Sequence, residues 1–396
     1  MWLSNFRVVL PEAVLDRGAV RIEDGRIAEI REGTVPHPAV DGEGLILLPG
    51  FIDMHGDMIE REVEPRPNVK MPMELGLRDL DRRLKVSGVT TGYAAVSFNP
   101  KSVHGHLRSH AHSSEMLRAL KRMRDELKVD HRVHARFEIN YPNALEVVEE
   151  LIAEGTVDML SLTDHTPGQG QYRDIEALAE KIVAQEGITP AEAARRVQER
   201  IAEKQQAGGD TGATLAAISA ICAEHGIALA SHDDDTVEKV ALMKTLGAVI
   251  SEFPVTVEAA EAAKARGLLT AMGAPNALRG ESYSGNLSAR DAHAAGLLDI
   301  LAADYHPSAM LPAILILARA DPDGLAGAAR LVSRNPARAL GLSDRGEIGL
   351  GRRADLVIAD DSGVGHVRAT FRNGRVIFSD GTMVPREVLR AEGVAA

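Results

Sequence analysis

Cysteine is almost absent from the chain, and its absence excludes two kinds of site. Cys222 is the only cysteine among the 396 residues, so the sequence supports neither a disulfide framework nor a cluster of thiolate metal ligands. Cys222 stands in the apolar run Ala220-Ile221-Cys222-Ala223, which predicts a buried helical position rather than a reactive thiol.

Long apolar runs and an excess of positive charge are also missing. No stretch reaches the roughly 18 uncharged apolar residues of a membrane span, and residues 1–5 do not resemble a secretory signal. We therefore expect a cytoplasmic protein without a membrane partner. Lys and Arg number 45 against 57 Asp and Glu, a formal net charge of −12. That balance argues against nucleic-acid binding, although a locally basic pocket can still receive an anion.

The order of strand-like and helix-like segments predicts an α/β protein built from two parts. Residues 1–48 and 346–396 contain short strand patterns punctuated by turns such as Asp24-Gly25, and we expect them to combine into one small β-sandwich domain. Residues 49–345 alternate strand and helix patterns over a length typical of a distorted (β/α)8 barrel, which would be the catalytic domain.

Candidate barrel strands have ends that can be located in the sequence. They end at Asp57, Ser97, Glu138, Asp164, Ser231, Glu252, Met272 and Asp304. Functional groups of a parallel barrel cluster at the carboxyl ends of its strands, so ionisable residues at these ends are candidates for a site. A charged helix is predicted over 191–206, and we interpret it as part of a surface hairpin, with a lid or an oligomer contact as alternatives.

The first candidate strand ends in a His-x-Asp pair, His55 and Asp57. Side chains two residues apart on a strand project to the same face, so these two can bind one metal ion together. A lone histidine at a strand end is more often structural. Several coordinating residue types in barrel order make a metal site the stronger interpretation. The further candidates at later strand ends are His134, Arg136, Glu138, His165, His232 and Asp304.

These features resemble the amidohydrolase superfamily, whose members activate water on a metal centre. Residues 349–357 are similar to its C-terminal G-x-G-x-x-A-D-L-V pattern. The resemblance implies that His55 and Asp57 bind the more buried metal and that Glu138 bridges two metals. It also implies that His165 and His232 bind the second metal. Asp304 would be a ligand and the catalytic residue that takes a proton from the metal-bound water and passes it to the leaving group.

The implied cofactor is one or two divalent metal ions. Asp57 stands where a second histidine is usual in the superfamily, and a carboxylate makes the site harder and richer in oxygen. This favours Mn²⁺ or Fe²⁺ alongside Zn²⁺, with Mg²⁺ also allowed. Asp233 and Asp234 follow His232 directly, and either could bind a metal or a sugar hydroxyl.

Longer motifs narrow the resemblance to the PhnM-type diphosphatases of the bacterial carbon–phosphorus lyase pathway. The motifs are residues 64–67, 163–169, 230–234, 252–256, 272–276, 279–286 and 304–307. The resemblance implies hydrolysis of the α–β phosphoanhydride of alpha-D-ribose 1-methylphosphonate 5-triphosphate, which yields the 5-phosphate and diphosphate. The partner is then a small phosphorylated sugar, and a homo-oligomer is expected. Met58 and His306 depart from the family pattern, which leaves the exact substrate open.

A triphosphate needs cationic and amide donors around the metal. The substrate-binding candidates are Arg66, Arg136, Arg279, Ser284 and Asn286, with Lys70 a weaker one. Each arginine could instead form a structural ion pair, and Arg136 could orient Glu138.

Three further interpretations stay open. The chain could be another amidohydrolase that acts on a cyclic amide or an amine-bearing ring. It could also be a barrel that has lost catalysis, although the retained ligand types argue against that. The histidines of residues 104–112 could form another metal site, but a solvated loop is favoured.

Overall fold

The computed structural model describes residues 1–66, 69–98, 110–207, 211–282 and 285–382. Two sheets organise this part of the chain: a parallel sheet curved into a nearly closed barrel, and a mixed sheet with strands from both termini. The distorted (β/α)8 barrel with an accessory β-sandwich, predicted from the sequence, is therefore confirmed. No helix among the described residues is long and apolar enough to cross a membrane.

The described strands, in chain order, are β1 Trp2–Val9, β2 Val14–Glu23, β3 Arg26–Glu32, β4 Val40–Asp41, β5 Ile46–Pro49, β6 Phe51–Gly56, β7 Val89–Phe98, β8 Asp130–Glu138, β9 Met159–Thr163, β10 Ala228–His232, β11 Ile250–Glu252, β12 Leu269–Gly273, β13 Ile300–Ala302, β14 Leu356–Asp360, β15 His366–Arg372 and β16 Arg375–Ser379.

The described helices are α1 Ile59–Val63, α2 Met73–Val86, α3 His110–Met123, α4 Leu145–Ala153, α5 Ile175–Glu186, α6 Pro190–Ala207, α7 Thr211–His225, α8 Val237–Thr245, α9 Val257–Ala265, α10 Ala274–Arg279, α11 Ala289–Ala294, α12 Met310–Leu317, α13 Gly324–Arg330 and α14 Arg334–Ala339. Short 3₁₀ turns cover Pro142–Ala144, Gly170–Tyr172 and Pro307–Ala309.

The mixed sheet joins the two ends of the chain. Its strand order is β16-β15-β14-β5-β1-β2-β3, with β4 paired to β1. A bridge between Arg26 and Arg353 brings β3 next to the segment before β14. Phe6, Leu47 and Phe371 are buried in one core, so the sheet closes around its own apolar side chains in the manner of a β-sandwich. The domain limits at residues 48 and 346 stay a prediction.

The barrel sheet runs from β6 to β13 in chain order, and every pair of neighbours is parallel. Two backbone hydrogen bonds join its first and last strands: Asp304 N donates to His55 O, and Asp57 N donates to Asp304 O, both at 2.8 Å. The predicted strand ends differ from the observed ones by at most two residues. All eight strand ends therefore meet at one rim.

The insertion between β9 and β10 contains a helical hairpin. The helix predicted over 191–206 is part of α6, which packs on α5 through Leu178, Ile182, Ala193 and Val197 in a cluster of its own. Cys222 lies in α7, where burial raises the pKa of its thiol to about 12. The predicted helix and the buried helical position of Cys222 are confirmed, while the lid and oligomer-contact alternatives for the hairpin stay open.

A buried arginine at the amino ends of the strands supports a stability prediction. Arg345 donates to Asp130 Oδ2 at 2.7 Å and to Thr91 Oγ1 at 2.9 Å, and its side chain is only 3% exposed. Arg132 Nε also lies 3.3 Å from Asp130 Oδ2, so Arg345→Met removes one of two cationic partners of this carboxylate and should lower the free energy of unfolding by about 1–3 kcal/mol. Urea denaturation of the purified variant measures the change.

Arg352 provides the control for this prediction. It pairs with Glu347 at 2.9 Å but is 38% exposed, and an exposed pair contributes only about 0–1 kcal/mol. Arg352→Met should therefore unfold close to the wild-type urea concentration. Equal losses in the two variants would contradict the anchoring role of Arg345.

Candidate metal centre

A cavity of about 850 Å³ opens at the rim where the strands end. The predicted site residues that line it are His55, Asp57, Arg66, Arg136, His232, Arg279, Asn286 and Asp304. His165 lies beside the cavity, since its ring is 5.8 Å from that of His232. Glu138 contacts His165 and lies beside it. Ser284 lies outside the described residues. A smaller cleft of about 380 Å³ on the mixed sheet carries none of these residues.

The backbone at the rim adopts unusual conformations just past three strands. Asp233, Phe253 and Asp304 have φ angles of 52°, 52° and 54°, in the left-handed region that residues with a Cβ seldom adopt. Gly56 is required between the two residues of the His-x-Asp pair, since a Cβ there would stand 2.7 Å from Asp53 Oδ2. Backbone strain of this kind concentrates at functional sites.

The deepest group of the site is centred on Glu252, at the end of β11. Its carboxylate is fully buried, with Oε1 3.3 Å from His55 Nδ1 and 3.8 Å from His134 Nε2. Burial alone would lower the pKa of His55, but the carboxylates of Glu252 and Asp57 raise it to about 10. Burial lowers the pKa of His134 to about 3, so His134 is neutral at physiological pH.

A second group surrounds His165 and His232. His165 Nδ1 lies 2.7 Å from Glu138 Oε2, and the His165 backbone N–H donates to Glu138 Oε1 at 3.0 Å. His232 Nδ1 lies 3.2 Å from Asp233 Oδ2. Burial would raise the pKa of Asp233, but the facing His232 imidazole lowers it overall. Asp233 is therefore a charged partner in this group.

Asp234 has a different role from Asp233. Its fully buried carboxylate accepts hydrogen bonds from the hydroxyls of Ser231 and Ser251. It links the neighbouring strands β10 and β11 and does not line the cavity. Asp233, by contrast, lines the cavity, and its role as a site residue stays a prediction.

Arg136 lies between the two groups. Its Nη1 donates to both carboxylate oxygens of Asp57, at 3.0 and 3.2 Å, and its Nη2 lies 3.3 Å from His232 Nε2. The guanidinium joins Asp57 to His232. The alternative that Arg136 orients Glu138 stays a prediction.

Asp304 stands just beyond β13 and faces Asp57. Burial, followed by the negative charge of Asp57, raises the pKa of Asp304 to about 6. The glycine at position 273 leaves room for the Asp304 carboxylate. A side chain there would crowd it, since its Cβ would lie 3.2 Å from Asp304 Oδ2. A carboxylate with a pKa this close to neutrality can both accept and return a proton at physiological pH.

The chemistry of the side chains fits a divalent metal. Two sets of three side chains each bring their nitrogen and oxygen donors within 4.8 Å of one another: His55, His134 and Glu252, and His165, His232 and Asp233. Glu252 Oε2 is buried and has no hydrogen-bond partner, which leaves an acceptor for a cation. Mixed imidazole and carboxylate donors suit Zn²⁺, Mn²⁺ and Fe²⁺.

From the sequence, His134 was only a candidate at a strand end and Glu252 had no role, although both belong to a possible metal-binding group. Both carried a signal, since Glu252 ends a predicted strand and His134 shares a face with Arg136 and Glu138. The ligand roles of Asp57, Glu138 and Asp304 stay predictions. Of these three, Asp57 contacts His55, with Oδ1 at 3.4 Å from Nε2.

Both arginines and carboxylates line the cavity, and Glu60 and Glu64 stand among the arginines. Arg61, Arg66 and Arg279 line it, and in the part of the chain that the structure describes none of them forms a salt bridge with a carboxylate. Arg61, in α1, was missed by the sequence prediction. Lys70 is exposed and lies outside the cavity lining. Such unpaired guanidinium groups are suited to a polyanion.

The two departures from the family pattern, Met58 and His306, do not line the cavity. Met58 is buried in the barrel core, and His306 precedes a 3₁₀ turn. Residues 99–109, which include His104 and His106, lie outside the described residues. His110 begins α3 and stacks 5.3 Å from the ring of Tyr141.

Solved structures of two other enzymes share the fold of this chain. No protein-family model matches it. An N-acetyl-D-glucosamine-6-phosphate deacetylase from Mycobacterium smegmatis superposes with a TM-score of 0.63 at 19% identity, covering 96% of this chain and 100% of that one. A 5-methylcytosine deaminase from Klebsiella pneumoniae superposes with a TM-score of 0.64 at 17% identity, covering 97% and 99%. The barrel, the accessory sheet and the imidazole–carboxylate centre define an amidohydrolase-superfamily enzyme.

A sequence relative narrows this class. The alpha-D-ribose 1-methylphosphonate 5-triphosphate diphosphatase of Escherichia coli (strain K12) is 37% identical over 385 residues, which cover 96% of this chain and 100% of the relative. The chain belongs to the family of that diphosphatase.

Proposed function

We propose that this enzyme hydrolyses the α–β phosphoanhydride of alpha-D-ribose 1-methylphosphonate 5-triphosphate and releases diphosphate. The observation that carries the proposal is the 37% identity to the diphosphatase over nearly the whole of both chains. The cavity supports it, because about 850 Å³ lies in the range of ordinary small-molecule sites.

We assign the metal to the imidazole and carboxylate groups at the rim. The proposed ligands are His55, Asp57, Glu138, His165, His232 and Asp304, and Glu252 is the buried partner that orients the ligand His55. Zn²⁺, Mn²⁺ and Fe²⁺ suit this donor set best. When bound, a divalent ion neutralises phosphate oxygens and lowers the pKa of water to about 7.

Asp304 has the role of proton acceptor in this proposal. Its carboxylate takes a proton from the water that attacks the α-phosphorus and later returns it to the medium or to the leaving group. Burial and the negative charge of Asp57 raise the pKa of this carboxyl, and a carboxylate of raised basicity is suited to take a proton from water.

The arginines of the cavity would hold the triphosphate. Arg66 and Arg279, the predicted candidates, and Arg61 lie at the mouth, where guanidinium groups can bind phosphate oxygens through paired N–H donors. Asn286 lines the same cavity and offers an amide donor. Their positive charge would also stabilise the departing diphosphate. A cytoplasmic location and a homo-oligomeric state stay predictions.

No observation of the site favours the alternative of a cyclic-amide or ring-amine hydrolase. Those substrates carry little negative charge, whereas Arg61, Arg66 and Arg279 line the cavity without a carboxylate partner among the described residues. The deacetylase and deaminase neighbours are 19% and 17% identical and indicate the fold alone.

Phosphorus NMR of the metal-replete enzyme with the ribose triphosphate tests the proposal. Diphosphate and the 5-phosphate should appear together, and protein treated with a chelator should release neither. Release of single orthophosphate would move the attack to the terminal phosphorus. Absence of turnover with metal bound would contradict the proposal and favour the alternative of a cyclic-amide or ring-amine hydrolase.

A further inference from the structure

The side chains that line the cavity come from two opposite sides of the barrel. Arg61 lies in α1 after β6, and Arg279 ends α10 after β12, so both stand next to β13 and Asp304. Gln171 also lines the cavity, but it follows β9. In the order β6 to β13, which closes where Gly56 meets Asp304, β9 stands four strands from β13 in either direction. The arginines and Gln171 therefore lie on opposite sides of the rim.

The turn that carries Gln171 is held against the end of β10. The Gly170 backbone N–H donates to Asp235 Oδ2 at 2.9 Å. Gly170 has a φ angle of 52°, and a Cβ there would stand 3.0 Å from the Cβ of Asp233, so this close approach favours glycine. Tyr172, on the other side of Gln171, packs against the core of the α5–α6 hairpin. Gln171 is therefore carried by a turn that is fixed at both ends.

The side chain of Gln171 is available to a ligand. It is half-buried in the cavity wall, and its amide forms no hydrogen bond within the part of the chain that the structure describes. A glutamine amide offers an acceptor oxygen and two N–H donors without net charge. A sugar hydroxyl both donates and accepts, so this amide can bind it with either group.

Positive charge is scarce on this side of the cavity. The segments that follow β9 and β10 contribute no arginine or lysine to the lining among the described residues, and Asp233 adds a carboxylate. Lys239, in α8, donates to the backbone carbonyls of His232 and Asp233 at 2.9 and 3.0 Å. Arg136, on β8, pairs with Asp57. An uncharged group that carries hydroxyls suits this side better than a chain of phosphates.

We propose that Gln171 binds the ribose hydroxyls of the substrate, while the triphosphate extends across the site towards Arg61 and Arg279. The α-phosphorus is then held between the two sides, and the diphosphate leaves towards the arginines. Gln171 determines specificity for a sugar with free hydroxyls. The inference rests on the proposed hydrolysis of the ribose triphosphate and adds the orientation of that substrate in the cavity.

A matched pair of substrates tests the inference. Values of kcat/KM are measured for ribose 1-methylphosphonate 5-triphosphate and for its 2,3-dideoxy analogue, with the wild type and with Gln171→Met. The variant should lower kcat/KM about 10-fold for the hydroxylated substrate, the usual effect of losing one or two hydrogen bonds between uncharged groups. It should leave the value for the dideoxy analogue unchanged, whereas a general structural disturbance would lower both.

Gln169→Met is the matched control, because it makes the same chemical change in the same loop. Gln169 is exposed, lies outside the cavity lining and forms no side-chain hydrogen bond at the start of the 3₁₀ turn. Both values of kcat/KM should stay as in the wild type. Circular dichroism checks that each variant is folded, and Gln171→Ala replaces Gln171→Met if the latter unfolds.

An equal loss on the two substrates, or no loss on either, overturns the assignment of Gln171. Failure of the proposed function is a different result, since the wild type would then release diphosphate from neither triphosphate. Isothermal titration of the metal-loaded proteins with the two triphosphates decides the sugar contact in that case. Tenfold weaker binding of the hydroxylated ligand alone by Gln171→Met supports the contact. Equal affinities in wild type and variant, or no binding, overturn it.

Discussion

Asp304→Asn should lower kcat for triphosphate hydrolysis by about 10²- to 10⁴-fold, the usual contribution of a positioned general acid–base group. The amide keeps the size and one oxygen of the carboxylate but cannot take a proton. The main-chain hydrogen bonds of Asp304 to His55 and Asp57 do not involve its side chain, so the barrel closure should survive. Initial rates from diphosphate release measure the loss.

A buried aspartate that precedes the same strand gives the control for this prediction. Asp299 lies directly before β13 and accepts from the Thr270 backbone N–H at 3.0 Å, and burial raises its pKa. Asp299→Asn should keep kcat, since it lies at the other end of β13. Metal content is measured in both variants to separate proton transfer from loss of the ion. Normal turnover by Asp304→Asn would contradict the proton-transfer role.

The strand ends could be predicted from the sequence because each one depends on a local pattern. Alternation along a strand decides that His55 and Asp57 share a face, and a parallel barrel brings all strand ends to one rim. His232 and Asp304 lie at that rim for the same reason, without any knowledge of their neighbours. The fold class followed from the same strand and helix order.

The contacts across the barrel could not be predicted in this way. His55 and Glu252 are separated by 197 positions in the chain, and their pairing depends on how the strands tilt and which rotamers fit. The attachment of Arg136 to Asp57 depends on the same distant geometry. Local spacing places Arg136 and Glu138 on one face, but it does not set the direction of a long flexible side chain.

Glu252→Gln should weaken binding of the divalent metal by about 10- to 100-fold, the usual effect of changing a partner of a metal ligand. The amide is close in size to the carboxylate, so the packing of the fully buried residue should persist. What is lost is the negative charge 3.3 Å from His55 Nδ1, which orients the imidazole and increases its basicity. Competition with a coloured chelator measures the affinity of the folded variant.

Glu258→Gln is the matched control, because Glu258 is exposed in the first turn of the helix that follows the same strand. The same chemical change there should leave the metal affinity as in the wild type, since solvent screens a charge at the surface. If Glu252→Gln lost stability but kept its metal affinity, Glu252 would be only the structural counter-ion of His55, and the buried group would not belong to the metal centre. A selective loss of affinity would instead extend that centre to β11, beyond the ligands expected from the sequence.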